Sequence, residues 1–188
     1  MDNRMHIMEV ALDLFARHGF DAIGVQEIAT KAGITKPTLY HYFGSKGGLL
    51  QTILKENYNK LELSIKEAAK YEGDLPLTLH KLVTSYISFS NMNKKFYCMN
   101  ITMMYSPVEN EAFKAVYPFV QTQLDIIEQL FILAVNDHGN MRGRHKPYAL
   151  SLLGLINTYI QMCFSGDTEL NNEVVFKLVH QFMHGIYS

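Results

Sequence analysis

The side chains best suited to chemistry in this sequence lie close together, between residues 36 and 42. Lys36, Thr38, Tyr40, His41 and Tyr42 all donate hydrogen bonds, and a short helix over this stretch would turn them outward. Donors presented in this way can meet phosphate oxygens and base edges in the major groove of DNA. The sequence shows no nucleophile spaced to a base, no glycine-rich cofactor loop and no paired carboxylates. It therefore favours binding over catalysis.

Local signals predict the elements that would hold these donors. A short helix is expected over residues 25–32 and a second over 36–43, with Thr35 as the N-cap of the second and Pro37 in its first turn. Gly33 supplies the positive φ that the turn between them needs. An amphipathic helix precedes the pair and ends at Gly19. The apolar positions that we expect to be shared by the pair are Ile28, Ala29, Ile34, Leu39 and Phe43.

A purely structural three-helix unit, with the tyrosines merely facing solvent, is the alternative interpretation of this segment. Exposed aromatic residues at this density, with Lys36 and Lys46 at either end, favour a helix-turn-helix that binds DNA.

The wider pattern resembles the TetR/AcrR family of helix-turn-helix transcriptional regulators. The resemblance covers about the first fifty residues, and beyond Leu50 only the number and order of helices agree. The matching residues are Gly19-Phe20, Ile28-Ala29, Ala32-Gly33-Ile34, Thr38-Leu39-Tyr40-His41-Tyr42-Phe43 and Ser45-Lys46.

This resemblance implies roles for individual residues. Thr35, Lys36 and Thr38 would open the recognition helix, where side chains and backbone N–H groups meet phosphates or bases. Tyr40 and Tyr42 would donate to phosphates, while His41 could touch either a phosphate or a base. Lys46 would clamp a backbone phosphate, and Gln26 would reach a base or a phosphate from the preceding helix.

Three departures from the family pattern predict a weaker grip on phosphate. Gly24 stands where the family usually has a capping hydroxyl, and Gly47 and Gly48 follow Lys46 where acidic residues are common. Gly47 and Gly48 would each cost about 1 kcal/mol of helix propensity relative to Ala. Since residues 1–47 hold as many acidic as basic side chains, we expect modest DNA affinity with a shallow salt dependence.

Helical periodicity continues to the end of the chain, so we expect an all-α fold of about nine helices. A helix-turn-helix domain would span residues 1–46, and a larger helical domain for effector binding and dimerisation would span 47–188. After the recognition helix, long helices are predicted from Ser45 to near Gly73 and from Pro107 to Asp137, with a kink or break at Pro118. The remaining helices are predicted to begin near Asp74, Lys94, Pro147 and Asn171, the last of them ending at Tyr187.

A protein that binds two DNA half-sites needs a second recognition helix related by two-fold symmetry, so we expect a homodimer. The last two helices carry apolar bands wide enough to face both the subunit core and a partner in a four-helix bundle. A hairpin buried inside a monomer is the alternative. The residues assigned to dimerisation are Leu152, Leu153, Ile156, Tyr159, Ile160, Val175, Val179 and Phe182.

The middle of the chain is rich in Met and aromatic residues, which suit a pocket for a small apolar or aromatic effector. The residues assigned to it are Tyr86, Met99, Met103, Tyr117 and Gln121. Plain core packing is the alternative for each of them. A second hypothesis keeps the DNA-binding part but makes the C-terminal domain a docking module for another protein.

No enzyme activity, cofactor or metal is expected. His180 and His184 lie four residues apart on one predicted helix but lack further ligands in sequence. Cys98 and Cys163 match no metal or redox spacing and are expected to be buried hydrophobic residues in a reducing cytoplasm. Neither a membrane span nor a secretory signal is visible, which predicts a cytoplasmic protein without a membrane partner.

Overall fold

The computed structural model describes residues 3–138, 141–166 and 171–185. Within these ranges the chain forms nine α-helices and no β-strand, which confirms the all-α prediction. The helices are α1 (Asn3–His18), α2 (Val25–Lys31), α3 (Lys36–Phe43), α4 (Lys46–Ala68), α5 (Leu75–Met92), α6 (Lys94–Met104), α7 (Glu111–Ala134), α8 (His145–Phe164) and α9 (Asn172–His184).

By packing, the described residues fall into two units. The first unit combines the chain up to Asn59 with Asn93–Pro118, and the second combines Lys60–Met92 with the chain from Phe119 onward. α4 and α7 each contribute residues to both units. The functional division predicted at residue 46 stays a prediction, but the first unit includes α6 and the start of α7 as well as α1, α2 and α3.

Within the first unit, α1 packs mainly on α6 and α2. The α1 face buries Ile7, Ala11, Leu14 and Phe15, the spacing expected of an amphipathic helix. Polar contacts join α1 and the following turn to later parts of the chain. Asp13 forms ion pairs with Arg17 at 3.0 Å and with Lys95 of α6 at 2.5 Å, and Asn110 Nδ2 donates to Asp21 Oδ2 at 2.7 Å.

One pair of hydrogen-bonded polar side chains is buried where α4 contacts α6 in the first unit. The Tyr58 hydroxyl donates to Asn100 Oδ1, and both residues are nearly inaccessible to solvent. Burial raises the pKa of the neighbouring Tyr97 hydroxyl well above its usual value. α1 and the first part of α4 are therefore fixed to α6 by both apolar and polar contacts.

Within the second unit, α5 packs on α9 and α8. Its inner face buries Leu79, Leu82, Val83, Tyr86 and Phe89. Phe131, Tyr148 and Phe182 bring α7, α8 and α9 together in an aromatic cluster, with ring centroids 5.6–6.3 Å apart.

The helix starts differ from prediction where two signals compete. α7 begins at Glu111 rather than Pro107, because residues 107–110 form a turn and Asn110 Oδ1 accepts from the Ala112 N–H at 3.0 Å. The helix is not broken at Pro118, since burial of Val116 and Val120 compensates for the backbone bond that proline cannot make. α8 begins two residues earlier than predicted, at His145. The predicted end of the last helix lies outside the described residues.

Candidate nucleic-acid interface

The segment from α2 to α3 folds as the local signals predict. Gly33 adopts φ +64°, and the Ile34 N–H donates to the Ala29 carbonyl at 3.0 Å to close the turn. Ile28 and Leu39 are fully buried between the helices, and Ala29 allows their close approach. The turn residue and the small apolar contact together fix the angle at which α3 leaves α2.

Thr35 caps the start of α3. Its hydroxyl accepts from the Thr38 N–H at 3.4 Å and lies 2.9 Å from the Thr38 hydroxyl. Lys36 is exposed in the first turn. The N-terminus of α3 therefore offers two hydroxyls, a cation and the positive end of the helix dipole to an approaching anion.

The other donors of α3 continue along the same short helix. Tyr40 and Tyr42 remain 47% and 39% exposed, which is high for aromatic side chains in a folded chain. His41 is exposed and packs edge-on against the Tyr42 ring at 5.5 Å. The structure thus places Thr35 at the N-cap of α3 and Lys36, Thr38, Tyr40, His41 and Tyr42 along it. Thr38 is half-buried and the rest are exposed.

Gln26 lies on the exposed side of α2. Its Nε2 donates to the Thr30 hydroxyl at 3.2 Å, and that hydroxyl donates to the Gln26 carbonyl at 2.9 Å. This local pair orients the Gln26 amide along α2. Gly24 caps α2 without any side-chain hydrogen bond, as its missing side chain predicts.

Lys46 has a different environment from the one expected of a phosphate clamp. Its Nζ donates to the carbonyls of Phe20 and Ile23, each at 3.0 Å, and lies 4.1 Å from the centroid of the Phe20 ring. Two of its three donor protons are therefore used inside the first unit. Lys46 thus ties the start of α4 to the α1–α2 turn and keeps at most one proton for a phosphate, so its contact with DNA stays a prediction.

The glycines after Lys46 also have different roles. A Cβ on Gly48 would overlap the Phe43 carbonyl, while Ser45 Oγ accepts from the Gly48 N–H at 2.9 Å. A Cβ on Gly47 would meet only the end of the Glu111 side chain, at 2.5 Å. Helix propensity alone treats the two glycines alike, whereas packing requires a residue without a side chain at Gly48 only.

The five residues assigned to an effector pocket do not share one described cavity. Met99 and Met103 are buried in the first unit, where both line a cavity of about 220 Å³. Tyr117 is half-exposed in the first unit and packs on Phe113 at 5.3 Å. Tyr86 is fully buried and Gln121 is half-buried, and both belong to the second unit.

Most of the residues assigned to dimerisation are buried in the core of the second unit, and their role in dimerisation stays a prediction. Only Tyr159 and Phe182 among the eight retain partial exposure. The apolar or small positions that stay accessible on α8 and α9 lie between the buried ones. The buried six are Leu152, Leu153, Ile156, Ile160, Val175 and Val179, and the accessible positions are Leu150, Gly154, Leu155, Met162, Phe176 and Met183.

Other candidate groups lie outside this interface. His180 and His184 are exposed on α9 with ring centroids 4.5 Å apart, and the described residues contain no group of three potential metal ligands. Cys98 and Cys163 are half-buried rather than buried, and both are free thiols. No helix in the described ranges has the length and apolarity needed to cross a membrane.

Two short helices joined through Gly33, with an exposed row of donors on the second, define a helix-turn-helix protein. Residues 7–53 match the family model described as bacterial regulatory proteins, tetR family. Over this region the chain is similar to the TetR family.

One relative is similar in sequence over most of this chain, and two solved structures share its fold. The HTH-type transcriptional regulator YuxN of Bacillus subtilis (strain 168) is 31% identical over 159 residues, or 83% of this chain and 52% of that protein. The fatty acid degradation regulator FadR from Bacillus halodurans has the same fold, with a TM-score of 0.81 and 17% identity, covering 100% of this chain and 97% of that one. FadR from Bacillus subtilis, solved in complex with stearoyl-CoA, also gives 0.81 and 17%, covering 97% and 99%.

These comparisons differ in how much of each protein they cover. The chain spans about half the length of the curated relatives it matches, with 44–52% of each of the first three covered. At 17% identity the solved structures show the fold alone. All three proteins named here are described as regulators, and none is described as an enzyme.

Proposed function

We propose that this chain is a DNA-binding transcriptional regulator that reads double-stranded DNA with α3. The observation that carries the proposal is the exposed row of donors from Lys36 to Tyr42, lying inside the segment that matches the TetR family model. A capped helix N-terminus beside a row of hydroxyl and amine donors suits phosphates and base edges. Among the helices that the structure describes in the first unit, none carries as many exposed hydrogen-bond donors over so short a length.

The affinity for DNA would depend on where individual cations and donors lie rather than on the net charge of the chain. The whole chain carries a formal charge of −1, so no broad positive field draws it to DNA. With Lys46 largely engaged by two carbonyls, Lys36 is the principal cation of this face. These facts support modest affinity with a shallow salt dependence.

The regulator would bind a palindromic operator as a homodimer. Two recognition helices must reach half-sites about 34–36 Å apart, which requires a two-fold axis. The accessible apolar positions of α8 and α9 are the partner-facing surface that we favour. Leu150 and Phe176 are 51% and 62% exposed there, and Gly154 leaves open space for close helix approach.

A small apolar or aromatic effector would release the repressor from its operator. The second unit holds an apolar cavity of about 180 Å³, bordered by Leu79, Phe131, Met141, Tyr148 and Phe182. The stearoyl-CoA bound to FadR from Bacillus subtilis supports an apolar effector for this fold. Binding at this cavity would act by favouring one of two arrangements of the dimer.

An open groove on the second unit favours the alternative, a docking site for another protein. It measures about 510 Å³ and includes Ile126, Leu130 and Leu133, with Lys66 and Lys70 at its edge. Loss of operator binding when stearoyl-CoA is added to the protein–operator complex would favour an apolar effector over docking.

Selection of genomic DNA tests the proposed function. The purified full chain is mixed at low salt with fragments of its source genome, including the promoter next to its own gene, and bound fragments are separated by gel shift and sequenced. We expect enrichment of a palindrome. Failure to shift any fragment would contradict the proposal.

A further inference from the structure

A pocket in the first unit lies where the end of α1 and the α1–α2 turn meet α6 and the start of α7. Its volume is about 220 Å³. The deep wall is formed by Phe15, Phe20, Met99, Met103 and Ala112, each at most 3% exposed. The wall is therefore apolar and largely shielded from solvent, while the residues at the mouth are accessible.

The size and lining of this pocket suit a compact aromatic ring. An apolar protein cavity of about 150 Å³ stays dry and binds benzene, so this pocket has room for a bicyclic molecule. The Phe15 and Phe20 rings meet edge to face at 5.2 Å, and two flexible methionines lie in the same wall. Methionine sulfur packs favourably on aromatic rings and adapts to their shape.

The polar atoms at the mouth are mainly acceptors. Thr102 Oγ1 already donates to the Cys98 carbonyl at 3.0 Å, and Ser106 Oγ donates to the Thr102 carbonyl at 3.1 Å. Their oxygens are left with lone pairs, as is the carboxylate of Asp21. His18 also borders the mouth and is exposed. A ligand with one N–H or O–H donor would complement this edge.

We propose that this pocket binds a small aromatic molecule with a single donor and that its occupation weakens DNA binding. The coupling step rests on the proposed function. Phe20 forms part of the pocket wall, and its carbonyl is one of the two that hold Lys46. Displacing Phe20 would loosen this tie at the start of α4, which two residues separate from the end of α3. The recognition helix would then lose part of its support.

Indole is a suitable probe, because it is bicyclic with one N–H donor and the chain contains no tryptophan. Its emission, excited where tyrosine does not absorb, reports binding to the full chain. Ser106→Phe covers the mouth and Ala112→Leu fills the deep wall. We expect each to weaken indole binding about tenfold or more, the scale of a lost close fit. Val108→Phe, a matched change at an exposed residue of the same loop, should leave binding within about twofold.

Two results would overturn the binding step: no indole binding to the wild-type chain, or equal binding to both pocket variants with their melting temperatures preserved. For the coupling step, saturating indole should lower operator affinity about tenfold in the wild type and not in Ser106→Phe. Indole binding without any change in operator affinity would overturn the coupling. If no DNA is bound at all, the proposed function fails while the indole titration still decides the pocket.

Discussion

Lys46 makes contacts inside the first unit that its position in the sequence does not reveal. Its place after Ser45, in a motif that matches the family, predicts a phosphate as its partner. The carbonyls that it binds belong to Phe20 and Ile23, more than twenty residues earlier in the chain. Sequence spacing cannot reveal such a contact, because the turn that presents those carbonyls is placed by the packing of α1 on α6 and α2.

Replacing Lys46 with methionine should therefore lower stability as well as DNA affinity. Lys46→Met keeps most of the side-chain volume but leaves two carbonyls without their charged donor, at an expected cost of about 1–3 kcal/mol. Urea unfolding measures the loss. Lys36→Met is the matched control, since Lys36 is exposed, and it should weaken DNA binding with stability unchanged. A Lys46→Met protein as stable as the wild type would restore the phosphate-clamp role.

Tyr71 gives a prediction about pH. Burial, together with the hydrogen bond that its hydroxyl donates to Asp137 at 2.7 Å, raises its pKa from 10.0 to about 12. Because the unfolded state ionises first, this group favours folding below pH 10, and its contribution is lost between pH 10 and about 12. Tyr71→Phe should show a smaller loss of stability across that range than the wild type. Identical pH profiles of urea unfolding would contradict the prediction.

At the scale of elements, the helices that could be predicted are those whose ends are marked by local sequence signals. The α2–α3 pair was predictable because Gly33, Thr35 and Pro37 mark its turn and its start, and their effects need no distant contact. α7 was predicted to start too early because Pro107 is a favourable first residue. Asn110 instead caps the helix through the Ala112 N–H. A proline signal and an asparagine signal three residues apart cannot be ranked from sequence.

The pair Gly47 and Gly48 separates helix propensity from packing. Both lie in the first turn of α4, where alanine should gain about 0.5–1 kcal/mol by propensity. Gly47→Ala should show this gain, because the Glu111 side chain can move aside. Gly48→Ala should instead destabilise the protein, because its Cβ would overlap the Phe43 backbone carbonyl. Thermal unfolding measures the stability of the two variants. Equal stabilisation by both substitutions would contradict the predicted overlap at Gly48.

At the scale of the whole molecule, apolar bands in the sequence predict where helices form but not which side of each helix is buried. α8 and α9 carry apolar residues around much of their circumference, so the sequence could not distinguish the side buried in the second unit from the side left accessible. Burial resolves this, leaving Leu150 and Phe176 among the accessible residues. The effector residues were scattered for a similar reason, since a Met-rich stretch such as 86–121 can supply two separate units.

Leu150→Glu should convert the proposed dimer into a monomer by placing a charge in an apolar contact. Sedimentation velocity measures the change. Operator affinity should fall on the order of a hundredfold, because the two half-sites would no longer be bound together. Leu77→Glu is the control, since Leu77 is similarly exposed at 49% on α5 and outside the α8–α9 surface. If Leu150→Glu stays dimeric, another surface forms the interface.

The most direct test of the account is equilibrium binding of the full chain to its selected operator, measured by fluorescence anisotropy. Tyr40 and Tyr42 are changed together to phenylalanine, which removes two hydroxyl donors from α3 and keeps both rings. Tyr105→Phe removes a hydroxyl from a residue that is 71% exposed and lies off α3. We predict that the double variant loses about tenfold or more in affinity with an unchanged melting temperature, while Tyr105→Phe binds like the wild type. Wild-type affinity in the double variant would contradict the claim that this face of α3 reads DNA.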